Sequence, residues 1–314
     1  MATTYTDTTQ MANLVKAAYD KYVEFALRPE PLFRTVADKR PVDVTSAGST
    51  VTLYKYSDLA AQTATLAETT AFDPIPGVPN PTGVTVTLNA YGNVVLKTER
   101  LKLFSLSDVD PAIADIVAYN MRDSIDQAAR AVLIGGTNHV TSNAGAVETP
   151  AVAINTLVAT DLFSSAHVRY IVTKLRAASA IPRKDSLYWC GIHPDISHDL
   201  RKETGAGGWR IPHEYSANSQ IWAGEIGQYE GAFFVETPRA YEATDGASSA
   251  KVARTLFAGK QAFAEAVAQE PQLVLGPMTD PLERYSPVGW KALLGWAVFR
   301  DEALYRASTG TSVA

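Results

Sequence analysis

The sequence predicts an α+β fold in which one segment projects from the body. Three observations predict it. Two runs with period-two alternation, "STVTLYKYS" at 49–57 and "VTVTLNAYGNVVLKT" at 84–98, flank a polar, proline-rich tip. One long amphipathic helix follows over 107–134. After it, helices and strands come without regular βαβ alternation, which argues against a doubly wound parallel sheet.

Residues 1–48 read as an arm. In "TQMANLVKAAYDKYVEFALR", Leu14, Val15, Ala18, Tyr22 and Phe25 recur at helical spacing, and Pro29 and Pro31 stop the helix. Residues 49–100 read as a long two-stranded ribbon. Val51, Leu53 and Lys55 face one way, and Thr52, Tyr54 and Tyr56 the other. Its tip holds Pro74, Pro76, Pro79 and Pro81, which stiffen an extended shape. At about 3.3 Å per residue each side would reach roughly 30–50 Å. A hairpin of that length is marginal alone in water. It has to lie on another surface, and the simplest is a second copy of the chain. The contact residues expected there are Tyr54, Tyr56, Leu66, Phe72, Pro76, Pro79 and Tyr91.

The 107–134 helix has Asp110 as expected N-cap and Pro111 at the first helical position, with Gly135 and Gly136 ending it. Ile113, Ile116, Val117 and Ile125 belong to its expected buried stripe. The helix would span roughly 35 Å. Residues 137–160 read as a loop-rich connection. A helix over 164–178 presents Val168, Ile171, Val172 and Leu175 on one face. "SLYWCGIH" reads as a buried strand, and "PDISHDLRKE" as a short helix opened by Pro194. Residues 203–223 form a polar, Gly-rich loop. A turn then leads into the strand 232–236, and "VARTLFAG" and "VGWKALLGWAVFRDEALYRAS" supply the last strands.

The formal net charge is −5, and residues 1–100 hold nine Lys or Arg against ten Asp or Glu, so there is no basic arm for sequence-reading nucleic-acid contacts. A single cysteine, Cys190, excludes an intrachain disulfide and a multi-cysteine metal site. No run of 18 apolar residues suggests a membrane span, and the first residues lack a basic-then-apolar leader, so a cytosolic protein is expected.

The pieces together resemble one family: the major capsid proteins of tailed bacteriophages, with the Hong Kong 97-type fold. The resemblance rests on "TVTLYKYSDLAAQTATLAETTAF" at 50–72, "VTVTLNAYGNVVLKTERLKLFS", "D.AARAVLIGGTN" in the long helix, "GEIGQYEGAFFVETPRA" at 224–240 and "DPLERYSPVGWKALLGWAVFRDEALYR". It runs over nearly the whole chain, and its force lies in the order and spacing of the segments.

The resemblance implies an N-terminal arm at 1–48, an extended β-hairpin loop at 49–100, and a spine helix with part of a peripheral domain at 101–154. It implies an axial domain at 155–260 and return strands of the peripheral domain at 261–314. It also implies self-assembly as pentamers and hexamers into an icosahedral head around double-stranded DNA, in a virion built in the host cytoplasm. The ribbon begins near residue 49 and leaves no room for a fused scaffolding segment, so a separate scaffolding protein is expected, with a portal and a decoration protein as further partners. Nothing singles out Lys55 or Lys97 for covalent cross-linking.

Two other function classes compete. One is an encapsulin-like nanocompartment shell. The other is a metal-dependent hydrolase using His193 and His198 of "HPDISHD". The i, i+5 spacing turns the second imidazole off the face of the first, and a helix start with Asp195 in its first turn explains the cluster equally well. "TGAGGW" and "GEIGQYEG" match no phosphate-binding fingerprint, and there is no nucleophile elbow. No enzyme activity, cofactor or metal is expected. The aromatics Trp209, Tyr215 and Trp222 are expected as contacts between subunits around the axial loop.

Overall fold

A computed structural model describes residues 28–42, 50–59, 61, 63, 65, 68, 80–104, 109–203, 225–277 and 284–313. The arm helix expected up to Leu27 lies outside the described residues. So do Leu66, Phe72, Pro76 and Pro79 of the loop tip, and Trp209, Tyr215 and Trp222.

Two sheets organise the body. The smaller has four strands: β1 (Asp38–Pro41), β12 (Phe263–Leu275), β13 (Tyr285–Val298) and β4 (Asn89–Thr98), in that spatial order. β1 runs parallel to β12, and the other pairs are antiparallel. Helix α2 (Val109–Ile134) packs on one face of this sheet, where the Trp290 indole N–H donates to Asn120 at 3.0 Å. Val117, Ile125, Ala129 and Leu133 form an i, i+4 row that goes into the core with Trp290, Ala292 and Leu294.

The larger sheet has eight strands. Its path runs β6 (Ala146–Glu148), β5 (His139–Asn143), β14 (Leu304–Gly310), β11 (Val252–Ala258), β7 (Tyr188–Ile192), β9 (Ala232–Glu236) and β8 (Glu225–Tyr229), with β10 (Tyr241–Ala243) pairing β11 beside that path. Helices α3 (Ser165–Ala177) and α4 (Pro194–Lys202) belong to one face of it, where Val168, Ile171, Val172, Leu175, Ile196 and Leu200 join Tyr188, Cys190 and Ile192 in a second core. The other face of β7 sends Trp189 into the first core, edge-on to Phe33 at 6.2 Å between ring centroids. A strand buried on both faces reads as an unbroken apolar run, which is why "YWCGI" carries no alternation.

Several expectations change. The ribbon is not one long hairpin. β2 (Thr50–Lys55) pairs with β3 (Thr82–Thr87) over six residues a side, about 20 Å. At Leu88 the chain switches partner, and β4 pairs with β13 from Asn89↔Leu294 to Thr98↔Tyr285. The short helix α1 (Glu99–Phe104) follows. The root of the arm is part of the body: Phe33 and Val36 are buried and β1 joins the sheet. Helix α2 begins at Val109, so Asp110 lies inside its first turn and not at the N-cap. The connection 137–160 contains β5 and β6, and β8, β10 and β12 were not anticipated as strands. The C-terminal segment serves both sheets, since β14 pairs with β11 and β5.

Candidate assembly surface

The ribbon root stands on the body through a third, small core. Leu53 and Val86 are buried against Ala264, Ala266 and Phe299, with Val51 and Val84 packed beside them. The same alternation turns Tyr54 and Tyr56 outward, 61% and 69% exposed, and Leu59 follows them into solvent. A cleft of 420 Å³ opens beside Tyr56, lined by Lys55, Lys260, Arg300 and Glu302, with Lys55 paired to Glu302 at 3.6 Å. Tyr91 behaves differently from expectation. It is half-buried and lies against Trp296 of its own chain, ring centroids 5.5 Å apart, because β4 belongs to the four-stranded sheet and not to the ribbon.

On α2, Val117 and Ile125 are buried and Ile113 is half-buried, but Ile116 is 50% exposed. The expected stripe was too wide. Ile116 sits about 100° around the helix from Val117, on the side away from the Val117–Ile125–Leu133 row.

Sequence reasoning missed a second apolar surface. At the far end of the four-stranded sheet, Val94 and Leu96 of β4 are 57% and 58% exposed, and Leu273, Leu275 and Tyr285 lie open on β12 and β13. Leu101 and Leu103 on α1 add to it. Solvent-exposed apolar side chains gathered at one end of a molecule mark an interaction site. The signal was present in "NVVLKT". Three consecutive apolar residues in a strand put apolar groups on both faces, which a half-covered ribbon has no reason to do.

Buried charges tie these elements to one frame. Asp126 on α2 accepts from Arg239 Nε at 3.0 Å and from the Arg34 backbone N–H at 3.1 Å. Arg239 also pairs with Asp123. Arg34 Nε donates to the fully buried Glu265 of β12 at 2.8 Å. Burial alone would lower the Arg239 guanidinium, but hydrogen bonds and charge from Asp123 and Asp126 outweigh it and hold it above its ordinary value. The same balance, with Glu265 and Glu270, raises Arg34.

The histidine cluster has the geometry of a helix cap. His193 precedes α4, and its Nδ1 accepts the Asp195 backbone N–H at 3.3 Å. Its Nε2 lies 3.8 Å from Glu242. Burial, with Asp195 close by, raises the Glu242 carboxyl against the opposing pull of His193. His198 stands apart, outward beside Asp199, and is not one of the His193, Asp195 and Glu242 group whose ligand atoms lie within 4.8 Å of one another. The two histidines proposed as a shared hydrolytic site are therefore not brought together, as the i, i+5 spacing on one helix dictates. Cys190 is buried, and desolvation pushes its thiol well up, so it is a core residue. Among the described residues, no helix is long and apolar enough to cross a membrane.

The sequence model of the phage capsid protein family matches residues 36–306. Among solved structures, the capsid asymmetric unit of cyanophage Pam1 superposes with a TM-score of 0.73 at 15% identity, covering 100% of both chains. The capsid of Ralstonia phage GP4 gives 0.67 at 16% identity over 95% of this chain and 96% of that one. A chain of Mycobacterium phage Che8 gives 0.67 at 14% identity, over 94% and 97%. At these identities the likeness is one of fold, that of phage capsid chains of the Hong Kong 97 type. Among curated proteins, no sequence matches the chain.

Proposed function

The chain belongs to the phage capsid protein family and is a capsid shell protein; from that premise we propose that it assembles through pentamers and hexamers into an icosahedral head enclosing double-stranded DNA. The observation that carries the reading is the apolar surface left open at two separate places, Tyr54, Tyr56 and Leu59 at the ribbon root and Val94, Leu96 and Leu275 at the sheet end. A self-sufficient monomer has no reason to keep both exposed.

In this reading α2 is the spine. The four-stranded sheet and α2 make the peripheral domain, and the eight-stranded sheet with α3 and α4 makes the axial domain. The loop between Lys55 and Thr82 reaches a neighbouring subunit through Tyr54, Tyr56, Leu66, Phe72, Pro76 and Pro79. Trp209, Tyr215 and Trp222 meet their counterparts around the capsomer centre. Each contact is modest, and multivalency in a closed lattice supplies the stability. A net charge of −5 suits DNA that is held without sequence reading and later released. A separate scaffolding protein, a portal and a decoration protein are the further partners. The site of action is the virion, after assembly in the host cytoplasm.

Deleting Gln62–Pro81 tests this. The deleted protein is expected to stay soluble and folded, because the three cores lie outside the loop, and to form no closed shells. Size-exclusion chromatography and negative-stain microscopy read the outcome. Normal shells from the deleted protein would count against the role of the loop.

A further inference from the structure

We propose that His193, Asp195 and Glu242 form a binding site for one divalent transition-metal ion of the zinc class, which fastens the start of α4 to β10. The site uses none of the residues of the assembly reading and stands or falls without it.

Two elements far apart in sequence bring the ligands together. β7 ends at Ile192 and α4 begins at Pro194, so His193 sits at the joint and Asp195 in the first helical turn. The joint is fixed by the cap, in which His193 Nδ1 accepts the Asp195 backbone N–H, and by Pro194 at the first helical position. Glu242 comes from β10, where it stands opposite Ala253 of β11. Ala253 belongs to the core shared with α3 and α4, and cross-strand partners lie on one face, so Glu242 is turned to the α4 side of the eight-stranded sheet. Its neighbour Tyr241 pairs with Arg254 and turns to the other side, where the Arg254 guanidinium lies 4.1 Å from its ring centroid.

One ligand atom from each of the three side chains lies within 4.8 Å of the other two. His193 Nδ1 is 3.6 Å from Asp195 Oδ2, and His193 Nε2 is 3.8 Å from Glu242 Oε2. Ligand atoms on a tetrahedral zinc stand about 3.4 Å apart, given bonds near 2.1 Å. Small side-chain rotations therefore close the group on an ion. All three side chains are largely out of water, 14%, 17% and 22% exposed in sequence order. Glu242 Oε1 is buried without a hydrogen-bond partner. Two carboxylates held side by side away from water repel each other and lose hydration. Burial and the adjacent Asp195 raise the Glu242 carboxyl against the opposing charges of His193 and Lys251. A bound cation takes up the idle oxygen and removes that repulsion.

The donor set selects the ion. Calcium and magnesium take all-oxygen sites, whereas an imidazole joined to carboxylates suits zinc and its neighbours. Three protein ligands leave one position of a tetrahedral ion to water. The ion acts as a clamp. β10 is only three residues long, so few ladder hydrogen bonds hold it, and the ion adds a link from it to the helix layer. His198 takes no part, since its side chain is 60% exposed beside Asp199. Among the described residues this is the one group of three such ligands. It is not legible in "HPDISHD", because Glu242 lies far along the chain.

Zinc titration of the untagged full chain, first stripped with EDTA, tests the proposal. Calorimetry is expected to give one zinc per chain, and zinc is expected to raise the thermal midpoint. Glu242→Gln and Asp195→Asn keep the side-chain size and remove one ligand charge. Each is expected to weaken zinc by more than the roughly tenfold that loss of an outer partner costs, and to erase the thermal rise, with circular dichroism unchanged. His198→Ala should leave both readouts as they are. Cobalt(II) supplies a second measurement: its visible absorption is expected to report a bound ion in the unsubstituted protein and to change in Glu242→Gln. If one variant fails to fold, the other and the cobalt spectrum still decide. Protein that takes up no zinc, zinc binding that survives both substitutions, or binding lost in His198→Ala would overturn the site. Displacement of zinc by equimolar calcium or magnesium would overturn the class of ion.

Discussion

Arg239 is 7% exposed at its side chain and touches two carboxylates of one helix, Asp123 and Asp126, so a single guanidinium holds α2 to the turn between β9 and β10. Removing it leaves Asp126, 1% exposed, with the Arg34 backbone N–H as its remaining hydrogen bond and only the through-space charge of Arg130 opposite it. Arg239→Ala is expected to cost about 3–5 kcal/mol, the usual penalty for stranding one half of a buried pair. The midpoint of chemical denaturation measures it. Arg239→Lys should recover only part of the loss, because an ammonium cannot serve Asp123 and Asp126 in the fork geometry of a guanidinium. Nothing in "ETPRA" marks this arginine in the sequence. Its partners lie 113 and 116 positions away, and pairing at that range leaves no local pattern.

Among the elements, what could be read locally was read closely. Helix α3 follows from the Val168, Ile171, Val172 and Leu175 stripe, all within one short stretch, and the structure adds Ser164 as its cap. Strand β7 follows from an unbroken apolar run. What depends on a distant partner was not legible. Residues 84–98 have uniform β-forming composition, yet β3 belongs to β2 and β4 to β13, and the change at Leu88 is set by strands about 30 positions before and 200 after. β12 was missed because Glu265, Gln269 and Glu270 interrupt the apolar pattern. One is the fully buried partner of Arg34, and the register shifts between Val267 and Gln272 break the alternation. The exposed Val94 and Leu96 were given to the ribbon for the same reason. The crossing of β3 over β13 offers a test at this scale. A Cβ at Gly295 would lie 2.3 Å from the Thr87 carbonyl oxygen and 2.9 Å from Val86, so neither strand can yield cheaply. Gly295→Val is expected to destabilise by about 1–3 kcal/mol as an overpacked core does, with loss of the ribbon root's protection in amide hydrogen exchange.

In the whole molecule the two large cores share a wall. β7 gives Tyr188, Cys190 and Ile192 to one and Trp189 to the other, and β11 divides Phe257 and Leu256 in the same way. Neither half keeps its packing if this sheet opens, so one cooperative transition is expected even at 314 residues. Trp189→Ala removes the indole, 4% exposed, from its contact with Phe33 and should cost about 3–5 kcal/mol. Calorimetry should then show a single peak moved to lower temperature. Two resolved peaks would mean the sheets melt as independent bodies.

Phe33 and Val36 sit in that shared interior, and Arg34 is fastened to both Glu265 and Asp126. The chain just ahead of them is thus cleated to the spine and to β12 at once. Tension applied upstream of Arg28 is delivered to those two rigid members before it can reach the ribbon root.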